Sequence, residues 1–294
     1  MEKIRKNIKP IFLLCMGAVV AVVWYAVFYF ESHQNLVITF FDVGQGDSVF
    51  ISAPGGNQVL IDGGSNDAVL AKLGRAMPFW DHSIDLIILT HPHADHVSGL
   101  VDVLLRYTAG MILETGVNYS TPEYAEWRRI IKEKDIKVIT AHRGQSVYIS
   151  DGARLDILAP FEDFTGKSVK NVHDAMIVPK LKLASTSVLL MGDAEKRLEY
   201  QLLFLRSDLA ADVLKVGHHG SKTSTTDEFL RAVSPKTAVI SAGRKNRYGH
   251  PNQEVLDRLG SAGVRVLRTD QEGDIVIRED GGWDAETGSG RGGF

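Results

Sequence analysis

IDLIILTHPHADHVSGL, residues 84–100, is the stretch on which the reading of this chain turns. Residues 84–90 are apolar apart from Asp85 and Thr90, the composition of a strand buried on both faces. From residue 97 the apolar positions take up the period of an amphipathic helix, which we expect over residues 97–107. Between strand and helix, His91, Pro92, His93, Ala94, Asp95 and His96 place four ligand-type side chains in six residues. On a strand-to-helix loop these can converge on one point, and imidazole with carboxylate suits zinc, manganese or iron. A turn whose polar groups merely face water and cap the helix is the competing reading. It leaves unexplained why three of the ten histidines share one loop. The single cysteine, Cys15, excludes a disulfide framework and a thiolate metal site, so imidazole and carboxylate must hold any metal.

Outward from that loop, short strand-like runs and helical segments succeed one another. Strands are expected in 36–43, 47–53 and 58–64, then in 111–117, 137–140, 146–149 and 154–160. The second half repeats the style with a hairpin over 176–184 and 186–193, then strands in 211–217, 236–242, 264–269 and 274–280. Helices are expected over 66–79, 123–132, 194–206, 225–233 and 253–262. Strands apolar throughout imply sheets covered by helices. A Gly-rich polar end, 281–294, has too few apolar residues to pack and reads as a disordered tail. His33, His82 and His142 lie outside any motif and read as surface residues.

The N-terminus is a different solvent problem. Residues 10–30 run for 21 positions without a charge, enough for a helix to cross a bilayer. Lys3, Arg5, Lys6 and Lys9 precede them, Glu31 follows, and the next lysine or arginine is Lys72. The expected organisation is a cytoplasmic basic segment (1–9), a transmembrane anchor (10–30) and an extracytoplasmic domain (36–280). A cleaved signal peptide is the alternative; its apolar region is usually shorter, and Tyr29, Phe30 and Glu31 lack a small-residue cleavage pattern. A net charge of −3 argues against a broadly basic nucleic-acid surface but leaves open a local groove, since bound dications supply positive potential themselves.

The HxHxDH loop after an apolar strand, with Asp62-Gly63-Gly64 upstream, resembles the metallo-β-lactamase superfamily. FDVGQGDS (41–48), LIDGG (60–64), THPHADHVSGL (90–100), LLMGDAE (189–195), LKVGHHGSKTS (214–224) and YGHP (248–251) resemble, in this order, the C-terminal hydrolase domain of the ComEC competence family. The likeness runs from about residue 36 to about residue 278. It implies an αββα four-layer sandwich behind the transmembrane helix, with two divalent metals, zinc or manganese, between the sheets. By motif position His91 and His93 would hold the first metal, Asp95 and His96 the second, and Asp193 would bridge them, its two oxygens serving two cations at once. Asp193 also reads as a helix N-cap, and the two roles are compatible.

His218 and His219 are both candidates for the remaining ligand. Successive residues after a strand point apart, so one is expected to coordinate. Related choline-phosphate esterases use the second of such a pair, which favours His219 as ligand and His218 as substrate contact; no spacing argument excludes the reverse. His173, in NVHDAM (171–176), stands where the competence pattern has asparagine, and other branches place a first-metal histidine in this region. It is expected to complete a three-histidine site, against the alternative of a hydrogen-bonded loop histidine. Asp62 is expected to orient a motif histidine or tie down its loop, with a turn-forming Asp-Gly as the alternative, and Asp47 to shape a turn beside the metals. Ser221 and Lys222 suit phosphate oxygens, and Tyr248 and His250 are expected at the same mouth. Asp95, His218 and His250 are the candidates for handling nucleophile and leaving group.

Two functions follow from this. One is a membrane-anchored phosphodiesterase or nuclease acting on DNA outside the cytoplasm in DNA uptake, with DNA and a separate channel protein as candidate partners. The alternative is a cell-envelope phosphoesterase acting on a small ester such as choline phosphate, with Trp80 or Tyr248 caging the quaternary ammonium. A binding module without activity would be expected to have lost ligands, and this chain carries the whole set.

Overall fold

The computed structural model of the chain describes residues 2–32, 36–183, 186–279 and 283–287, and His33 lies outside them. One sheet is built from β1 (Val37–Phe40), β2 (Val49–Ser52), β3 (Gln58–Ile61), β4 (Ser83–Ile88), β5 (Thr108–Glu114) and β6 (Lys137–Thr140). The other takes β7 (Ser146–Ser150), β8 (Ala153–Ala159), β9 (Val178–Leu183), β10 (Thr186–Leu190), β11 (Val213–Lys215), β12 (Thr237–Ile240) and β13 (Arg265–Arg268). The chain then returns to the first sheet with β14 (Ile275–Glu279) and β15 (Trp283–Thr287). The orders are β15-β14-β1-β2-β3-β4-β5-β6 and β13-β12-β11-β10-β9-β8-β7.

Each sheet has a parallel half, β3 to β6 in the first and β10 to β13 in the second. Parallel strands need crossovers, which supply the outer layers. Helices α2 (Ala68–Ala76), α3 (Ala94–Arg106) and α4 (Pro122–Glu133) cover the first sheet, α5 (Lys196–Phe204), α6 (Asp227–Val233) and α7 (Gln253–Ser261) the second. Ile38, Phe40, Ile51, Leu155, Leu181 and Val188 fill the space between the sheets. Separate clusters around Leu100, Val103 and Trp127, and around Leu198, Phe229 and Leu259, glue the helices on. This is the expected αββα sandwich.

Two departures from the sequence reading bear on the site and the sheet edge. Helix α3 starts at Ala94 rather than residue 97, with His93 as N-cap, so Asp95 and His96 sit in its first turn. Local propensity counts from the apolar period and misses a first turn made of ligands. The expected tail is also partly a strand: β15 pairs antiparallel with β14 from Ile275↔Thr287 to Glu279↔Trp283. An edge strand is held by main-chain bonds and needs no run of apolar residues. Residues 280–282 and 288–294 lie outside those described.

The first helix, α1 (Glu2–Ser32), contains 21 residues, Lys9–Tyr29, with mean hydropathy 2.5 and no buried share. It is long and apolar enough to cross a membrane.

The metal-loop helix is held by a close approach of backbones. A Cβ on Gly99, in α3, would lie 1.9 Å from the Gly63 carbonyl oxygen. Gly99 N donates to Gly64 O, and Gly63 N to His96 O. Gly99→Ala is therefore expected to cost about 1–3 kcal/mol of stability by forced displacement, read as a lowered midpoint in chemical denaturation.

Candidate metal centre

The site forms where loops leave the carboxyl ends of β3, β4, β10 and β11 and meet the segment entering β9. Asp62 follows β3 with φ 58. Its carboxylate accepts from Thr90 N at 2.8 Å, Thr90 Oγ1 at 2.7 Å and His96 Nδ1 at 2.8 Å. Thr90 Oγ1 in turn lies 3.1 Å from His91 Nδ1. With Nδ1 engaged on both rings, the Nε2 atoms of His91 and His96 are left facing inward. Their common target is Asp193, 2% exposed, whose Oδ2 is 3.8 Å from His91 Nε2 and 3.3 Å from His96 Nε2. Among the described residues Asp193 caps no helix: α5 begins three residues later, at Lys196, with Glu195 at its N-cap position.

His93 Nδ1 lies 3.1 Å from His91 Nε2 and 3.2 Å from His173 Nε2. His173 reaches this point from a 3₁₀ turn, Val172–Ala175, in which Asn171 Oδ1 accepts from His173 N. His91, His93, His173 and Asp193 form one donor set; Asp95, His96, Asp193 and His219 form another, each with ligand atoms within 4.8 Å of one another. Among the described residues, His96 Nε2, His219 Nε2 and Asp193 Oδ1 are buried without a hydrogen-bond partner. Orphaned buried lone pairs aimed at a common point, all imidazole nitrogen and carboxylate oxygen, fit divalent cations.

The histidine pair does not behave as strand residues. His218 and His219 both have left-handed backbone, φ 46 and 54. Alternation across a strand therefore does not apply, and both rings face the centre, at different depths. His219 Nε2 is 3.2 Å from Asp193 Oδ1 and 3.7 Å from Asp95 Oδ2, with Nδ1 2.9 Å from the Ser241 carbonyl. His218 is further out, its Nε2 3.9 Å from Asp193 Oδ2 and its Nδ1 3.2 Å from Glu195 Oε1. The His250 ring centre is 5.7 Å from that of His218, and Tyr248 stacks on His250 at 6.0 Å.

The field divides the centre. Burial, and then His96 nearby, hold His91 well below the ordinary imidazole range, while burial and His173 push His93 down to about 4. In the second set burial also opposes charge, but Asp193 and Asp62 raise His96 well above the ordinary range. Asp193 and Asp47 likewise push His219 up to about 10. Burial alone would raise the Asp193 carboxyl, yet His219, His96 and His91 hold it well below the usual range. Without metal, protons on His96 and His219 neutralise the carboxylates.

Sequence reasoning passed over two residues here. Lys215, 1% exposed at the end of β11, bonds the Asp47 carboxylate and donates to Gly192 O at 3.0 Å. Asp47 Oδ1 lies 3.4 Å from His219 Nδ1. Glu195 accepts from Thr223 Oγ1 at 2.7 Å and faces both His218 and His173, the latter at 3.8 Å. A lysine inside the apolar run VLKV was the available signal for the first; nothing local marks the second.

Two expected placements need correction. Ser221 is buried and its hydroxyl lies 3.0 Å from Thr223 Oγ1, so it braces the Glu195 loop and does not face the mouth. Lys222 beside it is exposed. Trp80 precedes β4 whereas the metal loop follows it, so Trp80 stands at the opposite end of the sheet and cannot cage a ligand with Tyr248. The Tyr248 ring already carries the Arg247 guanidinium at 5.1 Å.

A sandwich of this kind with two donor sets sharing one carboxylate defines a metal-dependent hydrolase. The chain belongs to the metallo-β-lactamase superfamily, whose model matches residues 41–244. It is 33% identical over 286 residues to ComE operon protein 3 of Bacillus subtilis, covering 90% of this chain and 36% of that protein. It is 30% identical to the competence protein ComA of Neisseria gonorrhoeae, over 82% of this chain and 32% of the relative. The chain thus spans about a third of the length of these relatives. Among solved structures, the metallo-β-lactamase fold protein YhfI of B. subtilis superposes with TM-score 0.53 at 13% identity, covering 79% of this chain and 95% of that one. The diiron β-hydroxylase CmlA of Streptomyces venezuelae does so with TM-score 0.53 at 16% identity, over 80% and 53%.

His219 binds its proton more tightly folded than unfolded. Its contribution to the metal-free fold is therefore complete below the ordinary value of 6.5 and lost as pH rises through about 10. Chelator-treated protein is expected to melt at progressively lower temperature over that window, while metal-loaded protein, whose ligands have already released their protons, does not. Independently, His173→Ala is expected to lower metal content by about one ion per chain; unchanged content by elemental analysis would remove His173 from the first donor set.

Proposed function

We propose that the chain is a membrane-anchored phosphodiesterase acting on DNA outside the cytoplasm, with two divalent metals, zinc or manganese, in the centre described above. The observation that carries this reading is the mouth. The loop bearing His250 exposes Arg244, Lys245, Arg247 and Tyr248 beside the donor sets, with Lys222 exposed after the histidine pair. None of these cations makes an ion pair with a carboxylate among the described residues. Cations that track a phosphate backbone, interleaved with an aromatic face for a base, are what a nucleic acid strand needs. The resemblance to the competence family supports the same substrate and a role in DNA uptake, with a separate channel protein as partner. The lysines and arginine before the apolar helix support a cytoplasmic N-terminus.

His91, His93 and His173 would hold one metal, Asp95, His96 and His219 the other, with Asp193 between them. Bound cations at such a centre supply Lewis acidity and a water acidic enough to attack near neutral pH. The chain's own groups do the rest. Burial opposes charge on Asp95, but the His219 ring 3.7 Å away and the charge of His96 hold its carboxyl below the usual range, so it stays an acceptor able to orient the attacking water. His218, braced by Glu195, faces the centre from the solvent side and can donate to a phosphoryl oxygen. Burial, with His218 and His219 behind it, keeps His250 below the ordinary imidazole range, so as a neutral imidazole it can take the proton released by the attacking water and, as imidazolium, pass it to the leaving oxygen.

The test is the full chain in detergent or nanodiscs, loaded separately with zinc and manganese and offered single-stranded DNA, duplex DNA and bis-p-nitrophenyl phosphate. DNA cleavage that is metal-dependent and falls ~10²-fold or more in Asp95→Ala and Asp193→Ala is expected. Cleavage of the small diester with no action on DNA would replace a nuclease by an envelope phosphoesterase.

A further inference from the structure

The end of the sandwich opposite the metal centre carries an apolar surface that the hydrolase chemistry does not use. Phe79 is 85% exposed and Trp80 49%, their rings 4.7 Å apart in a T-shaped pair on the loop between α2 and β4. Leu105, 56% exposed, ends α3 at the same edge, where Thr108 N donates to His82 O. Arg75 and Arg106 are exposed beside them. Two adjacent aromatics turned into water, next to a leucine and two arginines, form an apolar tip with a cationic rim.

What covers this tip follows from its neighbour. Trp80 lies 5.7 Å from the ring of Tyr25 and 6.1 Å from that of Tyr29, both at the far end of the apolar helix. The apolar stretch ends at Phe30, so at ~1.5 Å per residue Tyr25 is within about 8 Å of its boundary. Trp80 therefore stands at the depth where aromatic belts lie in a bilayer, between headgroups and acyl chains.

We infer that the Phe79–Trp80 loop is a second membrane contact, inserting into the outer headgroup region beside the span, with Arg75 and Arg106 meeting lipid phosphates. This rests on the anchor reading of the first helix. Its consequence is orientation. The six residues of β4 separate the tip from the metal loop, roughly 20 Å at ~3.3 Å per residue. With one end in the interface, the sandwich stands with its catalytic mouth away from the bilayer, open to a polymer in the aqueous phase and out of reach of lipid headgroups. A span alone would leave the domain free to swivel; two contacts fix it.

The test uses the full chain in vesicles of phosphatidylcholine and phosphatidylglycerol, in a Cys15→Ser background, with one spin-labelled cysteine at a time. Phe79→Cys reports the tip, Val19→Cys the span, and Tyr148→Cys, at a strand that is 76% exposed at this residue, the aqueous surface. The expected result is that the label at position 79 is several-fold less accessible to a water-soluble nickel chelate than the one at 148, and more accessible to oxygen. If position 79 matches 148 while position 19 is shielded, the anchor stands and the second contact is overturned. If 19 and 79 both match 148, both readings fall. Shielding of 79 from oxygen and nickel alike marks contact with a second copy of the chain, and also overturns the inference.

Discussion

A carboxylate at the end of a buried strand cannot stay charged without positive partners, because desolvation costs more than folding can spare. Asp193 is such a group, and its positive partners come from both sheets, His96 from the first and His219 from the second, with His91 and His218 packed beside them. The first sheet supplies rings already aimed by Asp62 and Thr90, and the second supplies rings braced by Ser241, Asp47 and Glu195. Dications and protons compete for this same negative centre. The site is thus also a seam, and occupancy of the centre bears on cohesion of the two sheets as well as on reaction.

The layout beyond the seam gives each end of the molecule a separate task. Carboxyl ends of the parallel strands gather donors and, outside them, a cationic loop with an aromatic face. Amino ends of the first sheet carry exposed aromatics beside the apolar helix. Because the strands between them are buried and closely packed, the two ends are held at a constant separation.

Much of the centre was legible in the chain itself. The HxHxDH loop, Asp193 after a buried strand, and His173 in an unusual position are residue types that ordinary turns do not collect, and the structure brings them within reach of one another. Asp62 was legible as a loop-holding group, though which atoms it holds was not. The histidine pair was misread in its geometry: two left-handed residues in succession cannot be inferred from a strand pattern, because φ is set by the turn that Gly217 and Gly220 bound. Ser221 looked like a phosphate contact by composition and turned inward to Thr223. Lys215 and Glu195 act through partners 168 and 23 or 22 residues away, and spacing along the chain is silent on such pairs.

The sequence by itself determined which elements form and which chemistry is available. Periodicity separates strand from helix, an uncharged run of 21 residues is long and apolar enough to cross a membrane as a helix, and one cysteine beside ten histidines restricts metal ligation to nitrogen and oxygen. The tertiary structure alone decided which donors come within reach of one another, which histidine lies deep and which stands at the mouth, and that Trp80 lies at the end of the sheet away from the site. Those outcomes depend on distances between segments far apart in the chain, fixed by how two sheets pack and where their loops emerge, and local residue order does not encode them one segment at a time.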